Sequence, residues 1–249
     1  MVERTGKKLR PGSNRLAKTS PNGTAAPPHD TPQPGKKAPK IAQPLHIPDV
    51  NLLGLEVELI GMTPLVVRAW DQKTMQQLED KQKGIRQAKS REAAVPEEIF
   101  EGAKYYSTEG WEGFPAGGFR AALIEAIGCY NIPIREFNGK LGKKTFFIAA
   151  DGKCRVSGRP LVRIYGESEM FKCMQPTSGG GPYMSYRPRY NDWSVRLRIK
   201  YNAAKIDEQG VINLLSAAGH FVGVGEHRPS AKESLTGDNG RFTIRTCAS

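Results

Sequence analysis

The chain has 249 residues, enough for one large domain or two small ones, and its 38% hydrophobic content is sufficient for a core. Lysines and arginines number 37 against 25 acidic residues, so the net charge is +12 and the isoelectric point is near 9.6. This balance favours polyanionic partners, nucleic acid first and an anionic membrane surface second. Because neither a long apolar run nor a signal-peptide pattern occurs, we expect a cytoplasmic protein that does not enter a membrane.

Residues 1–50 carry nine lysines and arginines, three acids and nine of the eighteen prolines. Such a segment buries too little apolar surface to offset its ordering entropy, so we predict a disordered basic tail. Two basic clusters, Lys7-Lys8-Leu9-Arg10 and Lys36-Lys37, would attract phosphates, although a merely solvated tail is the alternative. A single ordered domain is expected over residues 51–249, with insertions at about 71–112 and 174–192.

The domain is predicted to begin with a strand near Leu52. The sequence Leu55-Glu56-Val57-Glu58-Leu59-Ile60 alternates apolar and charged residues, which is typical of a half-buried strand. Residues 71–91 then predict a helix with a thin apolar stripe and a mainly basic surface. That surface would contact a phosphate, a neighbouring subunit or only solvent.

A second helix is indicated after residue 115 by apolar residues at i, i+3, i+4, i+7 and i+8: Phe119, Ala122, Leu123, Ala126 and Ile127. Arg120 follows Gly117-Gly118, where backbone amides and a cation can meet a phosphate. Short strands are predicted at residues 145–149 and 160–165.

Residues 174–192 combine three consecutive glycines with tyrosines and arginines: Tyr183, Tyr186, Arg187, Arg189 and Tyr190. We interpret them as a long functional loop in which tyrosines stack on unpaired bases and arginines hold the backbone. A hairpin whose tyrosines cover the edge of the core is the alternative.

The strand expected at residues 193–201 has two different faces. Val195, Leu197, Ile199 and Tyr201 occupy one face, and Arg196, Arg198 and Lys200 occupy the other. A shift of one residue would bury three cations, so the alternation fixes the register. We expect the basic face to bind phosphates, with a solvated charged face as the alternative.

The last segment combines a helix, glycines and arginines. Asp207 is predicted to cap a helix that ends at Gly219. Gly223-Val224-Gly225 follows, then Arg228, an insert at residues 229–239, and a closing strand at 241–246 that begins with Arg241. We expect this glycine loop to approach a nucleic-acid backbone closely.

Several enzyme classes have no support in the sequence. The third glycine of a dinucleotide motif is missing, because Arg228 stands there, and neither a phosphate loop nor a nucleophile elbow occurs. The four cysteines form no CxxC pair, so neither a zinc site nor a disulfide framework is indicated. We expect neither a metal nor a cofactor. His220 or His227 would be the general base if the protein were a metal-independent endoribonuclease.

Three segments of the sequence carry a resemblance to a known family. They are Gly61-Met62-Thr63-Pro64-Leu65, residues 114–123, and the run from Gly223 through Arg228 to Gly240-Arg241. Together they resemble the RAMP superfamily, the RRM-like proteins of CRISPR effector complexes, and their order is similar to that of uncharacterised bacteriophage proteins.

The resemblance implies an α+β, ferredoxin-like βαββαβ core with a hairpin or thumb insertion. It also implies that Gly117, Gly118 and Arg120 form one contact with the RNA backbone. The second contact with the RNA backbone would be formed by Gly223, Gly225, Arg228, Gly240 and Arg241. Backbone members of this family assemble side by side along a guide RNA.

We therefore expect a non-catalytic protein that binds single-stranded nucleic acid, RNA more than DNA, and oligomerises along it. We expect it to belong to a multi-subunit nucleoprotein complex in a bacterial or phage-infected cell. The alternatives are a phage single-stranded DNA-binding or structural nucleoprotein, and the endoribonuclease named above.

Overall fold

The computed structural model describes Ile47 and residues 49–85, 95–133, 135–176, 181–232 and 236–245. From residue 49 onward they belong to one compact unit. The tail predicted to be disordered lies almost wholly outside these ranges. None of the helices within them is long and apolar enough to cross a bilayer.

The described ranges contain both helices and strands. The strands are β1 (Leu52–Gly61), β2 (Leu65–Val66), β3 (Gly113–Pro115), β4 (Phe146–Ala149), β5 (Gly152–Lys153), β6 (Pro160–Arg163), β7 (Ser168–Pro176), β8 (Pro182–Tyr190), β9 (Ser194–Asn202) and β10 (Phe242–Arg245). The α-helices are α1 (Gln72–Gln82), α2 (Pro96–Gly102), α3 (Ala116–Ala126), α4 (Gly139–Thr145) and α5 (Glu208–Ala217). A 3-10 helix (Ile127–Cys129) follows α3 directly, and a π-helix (Ala218–Val222) follows α5. The predicted α+β class is therefore confirmed.

The largest sheet has four strands in the order β10-β1-β9-β4, and every neighbouring pair is antiparallel. The chain between β1 and β4 includes α3, and the chain between β9 and β10 includes α5. Two smaller sheets have the orders β2-β8-β7 and β3-β6-β5.

The predicted register of β9 is confirmed by its burial. Its apolar residues are buried at every second position, whereas Arg196, Arg198 and Lys200 are exposed on the opposite face. A buried cation without a partner is costly, so this alternation fixes which face packs on the core.

Helices α3 and α5 supply the other side of the core. Asp207 caps α5 as predicted, because its carboxylate accepts a hydrogen bond of 2.8 Å from the amide of Gly210. The ring of Phe119 on α3 meets Phe114 at 5.4 Å and Phe242 at 6.4 Å, both edge to face. These contacts join α3 to the last strand of the sheet.

The prediction of a long loop at residues 174–192 is wrong, and a hairpin, the alternative, forms instead. Strands β7 and β8 form a hairpin with nine directly opposed residue pairs, from Ser168 and Tyr190 to Pro176 and Pro182. Residues 177–180, between the two strands in the chain, lie outside the described ranges. Strand β2 anchors the base of the hairpin by pairing Leu65 with Tyr190.

Helix α1 is shorter than the helix predicted at residues 71–91. It ends at Gln82, and residues 86–91 fall outside the described ranges. The thin apolar stripe is confirmed, since α1 buries none of its residues. Helix α2 was not predicted, although Pro96 at its first position and Glu97 and Glu98 in its first turn are recognised helix-start signals.

Candidate nucleic-acid interface

A cleft of about 560 Å³ opens between the start of α3 and the glycine loop, which we define as residues 223–228. Gly117 and Gly118 line it from α3, and Gly223, Gly225 and Arg228 line it from the loop. The two segments are about a hundred residues apart in the chain. The cleft therefore brings together two groups of residues that the sequence indicated separately.

Gly117 and Gly118 of α3 differ in whether the surrounding structure requires a glycine. A Cβ on Gly118 would overlap the ring of Phe114, so packing alone requires glycine there. A Cβ on Gly117 would meet no described atom within 4 Å. Glycine costs helix stability relative to alanine, and no described neighbour requires it at Gly117. The space beside Gly117 is open, and this residue forms part of the wall of the cleft.

The glycine loop is bent by residues with positive φ. Gly223 has a φ of 70°, Gly225 of 84°, and His227 adopts a φ of 55°, which is uncommon outside glycine. A Cβ on Gly225 would lie 2.5 Å from the carbonyl oxygen of Val66. These glycines therefore let the loop pass directly over β2.

Three of the six backbone amides of the loop donate to carbonyl groups of the protein. The amide of Val224 donates to Gly240 O at 2.9 Å, and that of Glu226 donates to Val66 O at 2.8 Å. The amide of Gly223 donates to Ala218 O at 2.8 Å. These three amides are therefore not available to a ligand in the way that the sequence predicts. The side chains of the cleft become the main candidates for contact.

The insert at residues 229–239 does not open the glycine loop. The amide of Asn239 donates to His227 O at 3.1 Å, so the two ends of the insert meet. Arg241 follows it, donates from Nη1 to Asp238 Oδ1 at 3.1 Å, and does not line the cleft. The structure therefore separates Arg241 from the other predicted loop residues.

Two arginines of the cleft have no carboxylate within 4.0 Å among the described residues. Arg228 donates from Nε to Ser230 Oγ at 3.0 Å and from Nη1 to Gly225 O at 3.2 Å, which orients its guanidinium. Arg159, just before β6, is exposed at the rim. Sequence reasoning missed Arg159, because it lies in a turn without periodicity.

A carboxylate at the edge of the cleft joins two further arginines. Glu226 Oε1 lies 3.5 Å from Arg68 Nη1, and Glu226 Oε2 accepts a bond of 3.1 Å from Arg187 Nε. Arg187 is only 6% exposed. It therefore forms this internal ion pair instead of the predicted contact with nucleic acid. Arg68 is exposed and lines the cleft, and no pattern in the sequence indicated its position.

The remaining hairpin residues differ in accessibility. Tyr183 is 46% exposed and Tyr186 is half-buried, so both rings can be reached from solvent. Arg189 donates to Glu169 on the opposite strand, and this bond lowers the pKa of the Glu169 carboxyl. A ligand phosphate would have to compete with that carboxylate for Arg189.

The prediction that Tyr190 stacks on bases is wrong, because its side chain is fully buried. Its hydroxyl donates a hydrogen bond of 2.6 Å to Glu112 Oε2. Burial and this hydrogen bond together raise the pKa of Tyr190. Tyr190 thus serves the core at the base of the hairpin.

Replacing Tyr190 with phenylalanine should lower the free energy of unfolding by about 1–2 kcal/mol, because it removes the hydroxyl that donates to a part-buried carboxylate. Affinity for oligonucleotides should not change. Urea denaturation and fluorescence anisotropy measure the two quantities, with Tyr183→Phe on the exposed part of β8 as control. Weaker binding by Tyr190→Phe at unchanged stability would contradict this assignment.

The predicted basic face of β9 is less positive than the strand alone implies. Glu56 and Glu58 of β1 lie directly opposite Arg198 and Arg196. Arg198 also donates to Asp151 Oδ1 at 2.7 Å. The acids come from neighbouring segments, so inspection of the β9 sequence could not reveal them.

Arg196 has an aromatic neighbour on this face. Its guanidinium lies 5.9 Å from the ring of Tyr165, and that of Arg163 lies 5.4 Å from the same ring. Lys200 is opposite Gly54 on β1 and Phe147 on β4. The face is thus a mixture of cations, acids and aromatic rings.

Arg120 points to the protein backbone. Its Nε donates to Phe146 O at 2.8 Å, and its Nη2 donates to Lys143 O. It also lies 5.2 Å from the ring of Phe147 and is not among the residues that line the cleft. Two of its five N–H donors therefore bond to carbonyls at the end of α4 instead of the predicted phosphate.

Neither histidine of the ordered domain lines the cleft, although His227 belongs to the glycine loop. His220 is exposed, with Nδ1 3.1 Å from Ser216 O. His227 Nε2 lies 3.7 Å from Cys173 Sγ. No histidine is among the described residues that line the cleft.

No protein-family model matches this sequence, and neither does any curated protein sequence. The interpretation of the cleft therefore depends on its geometry and charge.

Proposed function

We propose that the protein binds single-stranded nucleic acid, RNA in preference to DNA, without cleaving it, and that the cleft is its main binding site. The observation that carries this proposal is the convergence of two glycine segments and three arginines on one open cleft. Arg159 and Arg228 have no carboxylate partner among the described residues, so binding a phosphate there breaks no described ion pair.

The shape of the cleft favours an unpaired strand. Its accessible apolar residues, among them Pro115, Ala121 and Pro160, offer surface to a base, while arginines stand at the rim. Bases are accessible in this way only when a strand is not paired. The exposed Tyr183, the half-buried Tyr186 and the cations of β9 would extend the contact beyond the cleft.

For the fold, we propose a ferredoxin-like core and a relationship to the RAMP superfamily. The order β1-α3-β4-β9-α5-β10 along the chain and the antiparallel sheet order β10-β1-β9-β4 support this assignment. The hairpin of β7 and β8, inserted between β4 and β9, would be the thumb.

We further propose that copies of the protein assemble along the bound strand. Near the tip of the hairpin, Met174 is 69% exposed and Met184, directly opposite, is 46% exposed. Apolar side chains gathered at the surface are typical of contacts between proteins. The next copy on the strand would cover this pair.

Fluorescence anisotropy with single-stranded RNA, single-stranded DNA and duplex DNA over a range of salt concentrations tests the proposal. Each phosphate contact should contribute about −0.7 to the slope of log affinity against log salt for a single strand. RNA should bind more tightly than DNA, and duplex should bind least. Salt-independent binding, or no binding of single strands, would refute the proposal.

The same samples report on assembly and cleavage. Light scattering should give a complex mass that grows with strand length. A denaturing gel should show intact RNA, whereas shortened RNA would favour an endoribonuclease.

A further inference from the structure

Two acids line the cleft: Glu226, which is paired with Arg68 and Arg187, and a second one that lies at a distance from the arginines. Leu161 pairs with Pro115, the residue before α3, so Arg159 lies near the start of that helix. Glu125 also lines the cleft, eight residues after Gly117 on α3. At 1.5 Å per residue this separation is about 12 Å along the helix axis. One end of the wall is therefore cationic and the other carries a carboxylate.

Glu125 is free to accept hydrogen bonds. It is exposed, and no lysine or arginine among the described residues lies within 4.0 Å of its carboxylate. An ionised carboxylate has no donor and repels phosphate, whereas it accepts two parallel N–H bonds well. A nucleotide in the cleft must then place its phosphate near the arginines and its base near Glu125.

The wall between these ends suits a flat ring. Gly117 and Ala121 lie one helical turn apart and present at most a methyl group, and Gly118 is between them. A base can therefore approach the helix backbone closely. The cleft volume of about 560 Å³ is within the range of roughly 300–1,000 Å³ that is usual for small-molecule sites.

We propose that this cleft holds one unstacked guanine nucleotide of the bound strand, with Glu125 reading the base and Arg159 and Arg228 holding the phosphate. This inference rests on the proposed function and names the base that the site selects. Guanine presents N1–H and the N2 amino group side by side, so one carboxylate can accept from both. Uracil presents a single N–H between two carbonyl oxygens, which repel a carboxylate.

Anisotropy with short oligouridylates that carry one central guanosine, inosine or uridine tests this assignment. Inosine lacks only the N2 amino group. Wild-type protein should bind the guanosine strand about tenfold more tightly than the all-uridine strand, with inosine between them. Glu125→Gln should reduce this preference to less than twofold and leave affinity for oligouridylate unchanged or slightly higher.

Glu136→Gln, at an exposed position outside the cleft, is the matched control and should keep the guanosine preference. Circular dichroism verifies that both variants are folded. Equal wild-type affinity for the three strands would overturn the guanine assignment and leave the proposed function standing. A preference that persists in Glu125→Gln would also overturn it. If none of the strands binds, both proposals fail.

Discussion

Replacing Arg159 and Arg228 together with glutamate is expected to lower the affinity for single-stranded RNA by about a hundredfold or more. Each arginine is free of a described carboxylate, so each can give a charge-assisted bond to phosphate worth about 1.5–3 kcal/mol. The salt slope should also fall in magnitude by about 1.4, because two phosphate contacts are lost. Anisotropy at several salt concentrations measures both effects.

A control must separate the loss of the site from the loss of net charge. Arg135→Glu with Lys140→Glu makes the same change in net charge at two exposed positions that do not line the cleft. This control should lose much less affinity. If it weakens binding as much as the cleft variant does, general attraction to a basic protein accounts for the binding.

The sheet face gives a different outcome in the same assay. Should the cleft variant bind like the wild type while Arg196→Glu with Lys200→Glu loses affinity, the strand runs over β9. That result would favour the binding face expected from the β9 sequence over the cleft.

Gly240→Ala should produce the largest loss of stability, about 3–5 kcal/mol in the free energy of unfolding. Gly240 has a φ of 69°, and a Cβ there would overlap the carbonyl group of Val224. The obstacle is backbone that is itself fixed by the bond from the Val224 amide to Gly240 O. Neither partner can move without opening the glycine loop.

Gly128→Ala is the appropriate control for this substitution. A Cβ on Gly128 meets no described atom within 4 Å, and its φ is not positive. Its urea midpoint should stay near that of the wild type, while the midpoint of Gly240→Ala should fall strongly. Similar midpoints for the two variants would show that the loop tolerates the added carbon.

Elements with regular periodicity were predictable from the sequence. The alternation in the β9 sequence predicted which face of the strand is buried. Asp207 and the apolar spacing after it predicted α5. In both cases the local pattern and the tertiary burial agree, so one signal is sufficient.

The hairpin and the cleft were harder to predict for different reasons. Strand β8 contains Pro188 and lacks a steady alternation, because its base packs in the core while its other end stands out into solvent. Arg159 and Glu226 carry no local signal at all. Their roles arise only when β6, the glycine loop and α3 come together.

The order of the chain also affects when the binding site exists. Strand β10 pairs with β1 across almost the whole length of the domain, and Gly240 secures the glycine loop just before it. During synthesis, a ribosome must release residues beyond 240 before these long-range contacts can form. A growing chain that already contains α3 and Arg159 would therefore have little selective affinity for RNA until β10 is added.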